Sequence, residues 1–86
     1  MNKKRAQMRH ARRRAKQRYG LDLSTDQLRA IANRIKDGRA SLLRSCSNRV
    51  GIYQVPYQQQ LLVVAYDRKR GQVSSFLPPN SWEVGT

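Results

Sequence analysis

The chain has 86 residues, with 18 Lys and Arg against five Asp and Glu, which gives a formal net charge of +13. This length allows one small domain with a thin core. The single Cys excludes an internal disulfide, and one Cys with one His does not form a spaced set of metal ligands. No apolar run approaches the ~18 residues that cross a bilayer. We therefore expect a cytoplasmic protein without a metal, a cofactor or a membrane partner, whose basic excess indicates a polyanionic partner.

Half of the basic residues lie in the first 18 positions, which hold nine Lys and Arg and no acid. No Gly or Pro interrupts residues 3–19, and their composition favours a helix that ends before Gly20. Because like charges repel, we expect an arm over residues 1–19 that protrudes, frays when free and becomes helical on a polyanion. A solubilising tail without a fixed partner is the alternative. The arm residues predicted to contact nucleic acid are Lys3, Lys4, Arg5, Arg9, Arg12, Arg13, Arg14, Lys16 and Arg18.

A second helix is predicted over residues 24–37. Ser24 or Thr25 can cap its first turn, and Gly38 follows as a stop signal. Apolar residues recur at i, i+3, i+4 and i+7, which places them on one face that must be covered. These residues are Leu28, Ile31, Ala32 and Ile35.

Three β-rich runs follow this helix: RVGIYQVPY, QLLVVAYD and GQVSSFLP, separated by QQ and by the polar turn DRKRG. Such spacing predicts an antiparallel meander. Residues 40–47 can add a first strand at one edge. Pro56 lacks a backbone N–H, so its strand should be bulged or lie at an edge there, whereas Gly71 suits a left-handed position at the end of the polar turn.

The predicted fold class is therefore α+β. Two N-terminal helices, the first basic and protruding, precede a three- to four-stranded antiparallel meander sheet. The predicted body comprises residues 20–79, and residues 80–86 form a C-terminal extension. We expect the helices to cover one face of the sheet and to leave the other face to a ligand or to solvent.

A second basic cluster lies in the turn between the last two strands, at Arg68, Lys69 and Arg70. If side chains at the strand ends meet tyrosines on the open face, phosphates could bind the charges while bases stack on the rings. The ordinary alternative is that each Tyr is half-buried core and that the turn is simply solvated. The tyrosines concerned are Tyr53, Tyr57 and Tyr66.

The stretch RVGIYQVPYQQQLLVVAYDRKRGQVSSFLPP resembles the sheet of RelE-like and colicin-type ribonuclease toxins. In those proteins an Arg-led strand, a VVYD-type strand, a basic turn and a final strand follow two helices. The chain is also similar to small phage and prophage proteins with a basic helix ahead of such a body. The resemblance, over residues 21–79, implies helices on one sheet face and either RNA binding or RNA cleavage on the other.

RelE-like ribonucleases use Arg, Lys and Tyr side chains to move protons and to polarise the phosphate. The residues that match here as catalytic candidates are Arg49, Tyr66, Arg68 and Arg70. Ser75 stands where the family-like strand carries Thr, and Pro56 interrupts a strand that is normally regular. Outside the resemblance, His10 is the only His and lies in the basic arm, and no acid pair is spaced for general acid–base catalysis.

Three functions remain open from the sequence. The first is a small basic protein that binds nucleic acid, RNA in preference to DNA and with the ribosome among its targets, through the Arg-rich helix and the strand-end patch. The second is a RelE-like ribonuclease toxin. The third is a phage effector that binds an acidic host protein. Binding is favoured over catalysis because charge is abundant and a proton-transfer set is not evident.

Overall fold

The computed structural model describes residues 3–79, which form two helices followed by one four-stranded antiparallel sheet. Neighbouring strands follow chain order, so the sheet is a meander. The predicted α+β class is confirmed, and residues 40–47 do contribute the first, edge strand. The extension predicted for residues 80–86 lies outside the described residues. The elements are α1 (Lys3–Tyr19), α2 (Thr25–Lys36), β1 (Ser41–Ser45), β2 (Val50–Tyr57), β3 (Gln60–Asp67) and β4 (Gln72–Phe76).

Helix α2 begins at a capping box. The Ser24 hydroxyl accepts a hydrogen bond from the Gln27 backbone N–H at 3.1 Å, and the Gln27 side chain accepts one from the Ser24 N–H at 2.8 Å. Arg34 donates to the Pro56 carbonyl and lies over the Tyr57 ring, 5.4 Å from its centre, which ties α2 to β2. The predicted apolar stripe is buried against the sheet, and its residues are Leu28, Ile31, Ala32 and Ile35.

Shortening Ile31 to Ala is expected to lower the free energy of unfolding by about 2 to 4 kcal/mol, because the side chain is fully buried in the core and its loss leaves a cavity. Arg29→Ala is the matched control on the same helix, since the Arg29 side chain is largely exposed and pairs with the exposed Asp26. Urea unfolding of both variants measures the difference. Equal losses would mean that α2 does not turn Ile31 toward the core and Arg29 toward solvent.

Turns between the strands follow local chemistry. Gln58 and Gln59 both have positive φ, 47° and 64°, as a two-residue hairpin requires when its twist matches that of the strands. Gly71 has φ of 66°, and its N–H donates to the Asp67 carbonyl at 2.8 Å, as predicted. Pro56 lies beyond Gln54, where the pairing of β2 with β1 ends. The edge predicted at this proline is therefore confirmed, and the register between β2 and β3 continues past it.

Helix α1 packs along β4 and is part of the core, so the prediction that it protrudes from the body is wrong. Ala11 and Ala15 are fully buried, and these small side chains allow a close approach between helix and sheet. The Tyr19 hydroxyl donates to the Leu77 carbonyl at 2.7 Å and accepts from the Val63 N–H at 3.0 Å. Apolar burial on one side thus offsets the repulsion among basic residues that point outward on the other.

The two faces of the sheet differ in character. Side chains that alternate along β2 and β3, such as Val55, Leu62 and Val64, join the helices in one hydrophobic cluster. On the second face, opposite this cluster, one row across the four strands contains Arg44, Ile52, Ala65 and Ser75. Across residues 3–79, neither helix has the length and apolar character that a bilayer span would need.

Candidate nucleic-acid interface

Helix α1 exposes seven of its nine Lys and Arg residues to solvent. Gly20, with φ of 67°, ends the helix, and its N–H donates to the Lys16 carbonyl at 3.0 Å. Arg14 and Arg18 are half-buried, whereas the other basic residues of α1 are exposed. We call these exposed residues the cationic face of α1: Lys3, Lys4, Arg5, Arg9, Arg12, Arg13 and Lys16.

The cationic face is held in position by contacts at its ends and its centre. The Arg12 Nε–H donates to the Leu23 carbonyl at 2.7 Å, which joins α1 to the segment before α2. Arg9, Arg13 and Lys16 line a shallow groove next to Asp22. From Lys3 to Lys16 the face extends about 20 Å at 1.5 Å per residue, long enough to follow several consecutive phosphates of one strand.

A buried carboxylate organises the junction between α1, the start of β2 and the β3–β4 turn. Asp67, at the end of β3, is 2 % exposed and accepts hydrogen bonds from the Arg49 guanidinium at 3.0 to 3.2 Å. It also accepts from the backbone N–H groups of Lys69 and Arg70 at 3.0 and 3.1 Å, and from the Gln7 amide of α1 at 3.2 Å. We call this arrangement the Asp67 cluster; it joins α1, the start of β2 and the β3–β4 turn.

The hydrogen bonds around Asp67 stabilise its negative charge. Burial acts to raise the pKa of Asp67, but hydrogen bonds from Arg49, from the Arg70 backbone and from Gln7, together with the positive charge of Arg49, outweigh it and hold this pKa far below its ordinary value. The same pairing raises the pKa of Arg49. The Asp67 carboxylate therefore stays ionised at neutral pH and forms a structural ion pair rather than a proton-transfer group.

The predicted catalytic residues are divided between different environments. Arg49 and Arg70 meet at Asp67, with the Arg70 guanidinium 4.0 Å from the carboxylate. Arg68 turns toward the β1–β2 loop, where it donates to the Ser47 carbonyl at 2.8 Å and lies over Gly51. A Cβ at Gly51 would stand 2.5 Å from the Arg68 guanidinium, so a larger residue there would displace the Arg68 side chain.

Tyr66, the fourth predicted catalytic residue, lies in the hydrophobic cluster and packs edge-on against Tyr53, with ring centres 5.9 Å apart. Burial, with smaller contributions from Tyr53 and Asp67, raises the pKa of Tyr66, so the phenol keeps its proton at neutral pH. The structure therefore brings two of the four candidates together, at a carboxylate that engages both of them. Lys69, predicted to bind nucleic acid, is exposed at the tip of the turn.

The predicted platform of tyrosines on the open face is wrong. Tyr57 and Tyr66 belong to the hydrophobic cluster, and Tyr53 packs against it. Side chains in a strand alternate between faces, so residues 53, 55 and 57 share a face and follow the buried Val55 toward the helices. The Tyr and Phe rings of residues 3–79 lie in or against this cluster, and none of them offers a base-stacking surface on the second face.

Two features at the junction of α1 and β4 escaped the sequence interpretation. Gln72 is buried, and its amide donates to the Gln7 side chain at 2.6 Å and to the Lys4 carbonyl at 3.1 Å. His10 lies with its Nε2 3.4 Å from the Ser75 hydroxyl of β4. The signal for this packing was the run of apolar residues at positions 8, 11, 15 and 19 of α1, which recur at helical spacing beneath the basic residues.

Comparison with known proteins adds no relative: no family model, no curated protein and no solved structure matches this chain. The fold and the surface together define a small α+β protein whose basic helix is fixed on an antiparallel sheet. The resemblance to RelE-like toxins and to phage proteins stays a prediction.

Proposed function

We propose that this protein binds RNA through phosphate contacts made by the cationic face of α1. The observation that carries the proposal is a run of exposed basic residues on a helix whose other side is anchored by two fully buried alanines, Ala11 and Ala15. Because the helix backbone is already ordered, binding does not have to supply the free energy of folding it. Phosphate contacts of this kind supply most non-specific affinity for nucleic acid.

Within residues 3–79, acidic residues offset only part of this surface, and the acid that lies beside it is Asp22, in the groove with Arg9, Arg13 and Lys16. Among residues 3–79 the acids are Asp22, Asp26, Asp37 and Asp67. The Asp67 charge is compensated by Arg49, and Asp26 faces Arg29 at 3.5 Å on α2. The excess of positive charge on α1 should therefore steer a polyanion toward the helix.

The exposed side chains of α1 favour shape-based recognition. Apart from Gln17, they are Lys, Arg, Ala and His, a set dominated by Lys and Arg side chains that bind phosphates and can also reach guanine edges in a major groove wide enough to admit them. A-form RNA is recognised largely by shape and backbone contacts, which supports RNA over duplex DNA as the target. The helix is already anchored on the sheet through Ala11 and Ala15, so it does not have to fold in order to bind.

The double variant Arg9→Gln/Arg13→Gln tests the proposal. Both side chains are exposed and one helical turn apart, so the variant should lose about two phosphate contacts and flatten the plot of log affinity against log salt by about 1.5. Affinity for an RNA hairpin should fall about tenfold or more at low salt. Fluorescence anisotropy over a salt series, with RNA and DNA duplexes of matched sequence, provides the measurement.

Arg39→Gln/Arg44→Gln is the matched control, because it removes the same charge from exposed residues outside α1 and should keep most of the affinity. Equal losses in both variants would show that net charge alone drives binding. Cleavage of the RNA, with a rate that falls in Arg49→Ala while affinity is kept, would instead support the RelE-like ribonuclease. Binding to an acidic protein without affinity for any nucleic acid would contradict the proposal outright.

A further inference from the structure

A cleft of about 200 Å³ lies where the N-terminal half of α1, one side of α2 and the β3–β4 turn meet. Its floor is apolar and includes Met8, Leu28 and Val73. Lys36 and Arg70 are at its rim, and the residues that line it include no acid. An apolar floor beside convergent cations fits a ligand that is flat and apolar at one end and anionic at the other.

Four cations line the cleft, Lys4, Arg29, Lys36 and Arg70, and local geometry places the last two at the β3–β4 turn. Gly71 has φ of 66°, and a Cβ there would stand 3.3 Å from both Cε and Nζ of Lys36, so the lysine side chain lies across the glycine. Arg70 is half-buried and 4.0 Å from Asp67, whose charge is already compensated by Arg49. The rim therefore keeps a net positive charge close to the apolar floor.

Gln72 supplies the third element of the cleft. This residue lines the cleft and is only 6 % exposed, and its amide nitrogen is engaged by Gln7 and by the Lys4 carbonyl. Its Oε1 has no hydrogen-bond partner among the residues of the described chain. Buried acceptors are nearly always paired in folded proteins, and this covered oxygen would be completed by an N–H donor from a ligand once the Gln72 side chain shifts toward the cleft.

We propose that the cleft binds a single nucleotide, with its phosphate on Lys36 and Arg70, its base on the apolar floor, and a base N–H donating to Gln72. The inference rests on the proposed function for its class of ligand and extends it from the backbone to one unpaired nucleotide. The cleft is smaller than the roughly 300 to 1,000 Å³ of pockets that enclose drug-sized ligands, which limits it to one such unit. A free mononucleotide and an unpaired nucleotide of a bound RNA share this chemistry.

Nucleoside 5′-monophosphates, inorganic phosphate and nucleosides, each titrated separately, test the cleft. In two-dimensional NMR spectra, monophosphates should shift the Gln72 side-chain amide and the Gly71 backbone amide. Lys36→Gln should weaken monophosphate binding about tenfold, the size of one charge-assisted hydrogen bond, and Lys36→Arg should restore most of it. Gln72→Leu should weaken nucleosides and monophosphates alike but leave inorganic phosphate unchanged, once melting shows that this variant is folded. Arg39→Gln is the charge control.

Two outcomes would overturn the inference: no shift at any monophosphate concentration, or inorganic phosphate binding as tightly as the monophosphates. RNA hairpins with and without an unpaired end separate the cleft from α1. A blunt hairpin that binds through α1 while monophosphates do not bind would leave the proposed function standing and remove the cleft. Monophosphate binding without hairpin binding would leave the cleft standing and remove the proposed function. Tighter binding of the hairpin with the unpaired end, lost in Lys36→Gln, identifies RNA as the source of the nucleotide.

Discussion

Replacing Ala15 with arginine is expected to unfold most of the protein at physiological temperature. Ala15 is fully buried between α1 and the sheet, so a longer, charged side chain must either displace the helix or lie unpaired in the core. An uncompensated buried charge costs about 3 to 5 kcal/mol, which approaches the whole stability of a domain of this size. Circular dichroism during thermal unfolding should show a lost or strongly lowered transition.

Ala6→Arg is the matched control, since it makes the same substitution on the same helix at an exposed position. Its free energy of unfolding should stay within about 0.5 kcal/mol of the parent. Similar stabilities for the two variants would mean that α1 does not dock on β4 in solution.

Deletion of residues 1–18 should likewise leave an unstable chain, because it removes both buried alanines of α1. A deletion variant that stays folded would instead support the independent arm that the charge pattern predicts.

Asp67→Asn is expected to lower the free energy of unfolding by about 3 kcal/mol. The neutral amide loses the charge-assisted bonds with Arg49, and it has one acceptor oxygen where the carboxylate has two. Asp22→Asn, at an exposed loop position, should be close to neutral and serves as the control. Urea unfolding at neutral pH compares the two. A loss of similar size in both would show that overall charge, rather than the Asp67 cluster, carries the effect.

Acid should reveal the same cluster. The pKa of Asp67 is depressed in the folded protein, so its contribution to stability is fully present above the ordinary pKa of 3.8 and is lost as the pH falls below that value toward the folded pKa. The parent protein should therefore lose melting temperature more steeply below about pH 4 than Asp67→Asn does. Parallel acid profiles for the two proteins would contradict the depressed pKa.

Local signals account for the parts of the fold that the sequence predicted well. The cap at Ser24, the stop at Gly38 and the turn at Gly71 each depend on residues within a few positions of one another. The α2 stripe and the strand runs depend on periodicity along one element. The charge of α1 is likewise visible in composition, although Arg14 and Arg18, which were predicted with the other basic residues, are half-buried.

Other parts required contacts between distant elements. Asp67 is bound by Gln7, 60 positions earlier, and by Arg49, 18 positions earlier. No local pattern distinguishes this carboxylate from any other at the end of a strand. The β2 tyrosines lie on the sheet face that the helices cover. Which face is covered depends on the packing of the helices, and it places these tyrosines in or against the core.

By itself, the sequence determined the α+β order of elements, the bounds of α2, the turn positions and the basic character of α1, because each depends on backbone preferences and charge over short spans. Only the tertiary structure decided that α1 belongs to the core. Burying Ala11 and Ala15 against β4 needs a surface supplied by residues about 60 positions away, and nine neighbouring like charges conceal that tendency in the sequence. Tertiary packing likewise decided that Arg49 and Arg70 meet at a buried carboxylate, because burial removes competing water and makes pairing with Asp67 the favourable state for these charges.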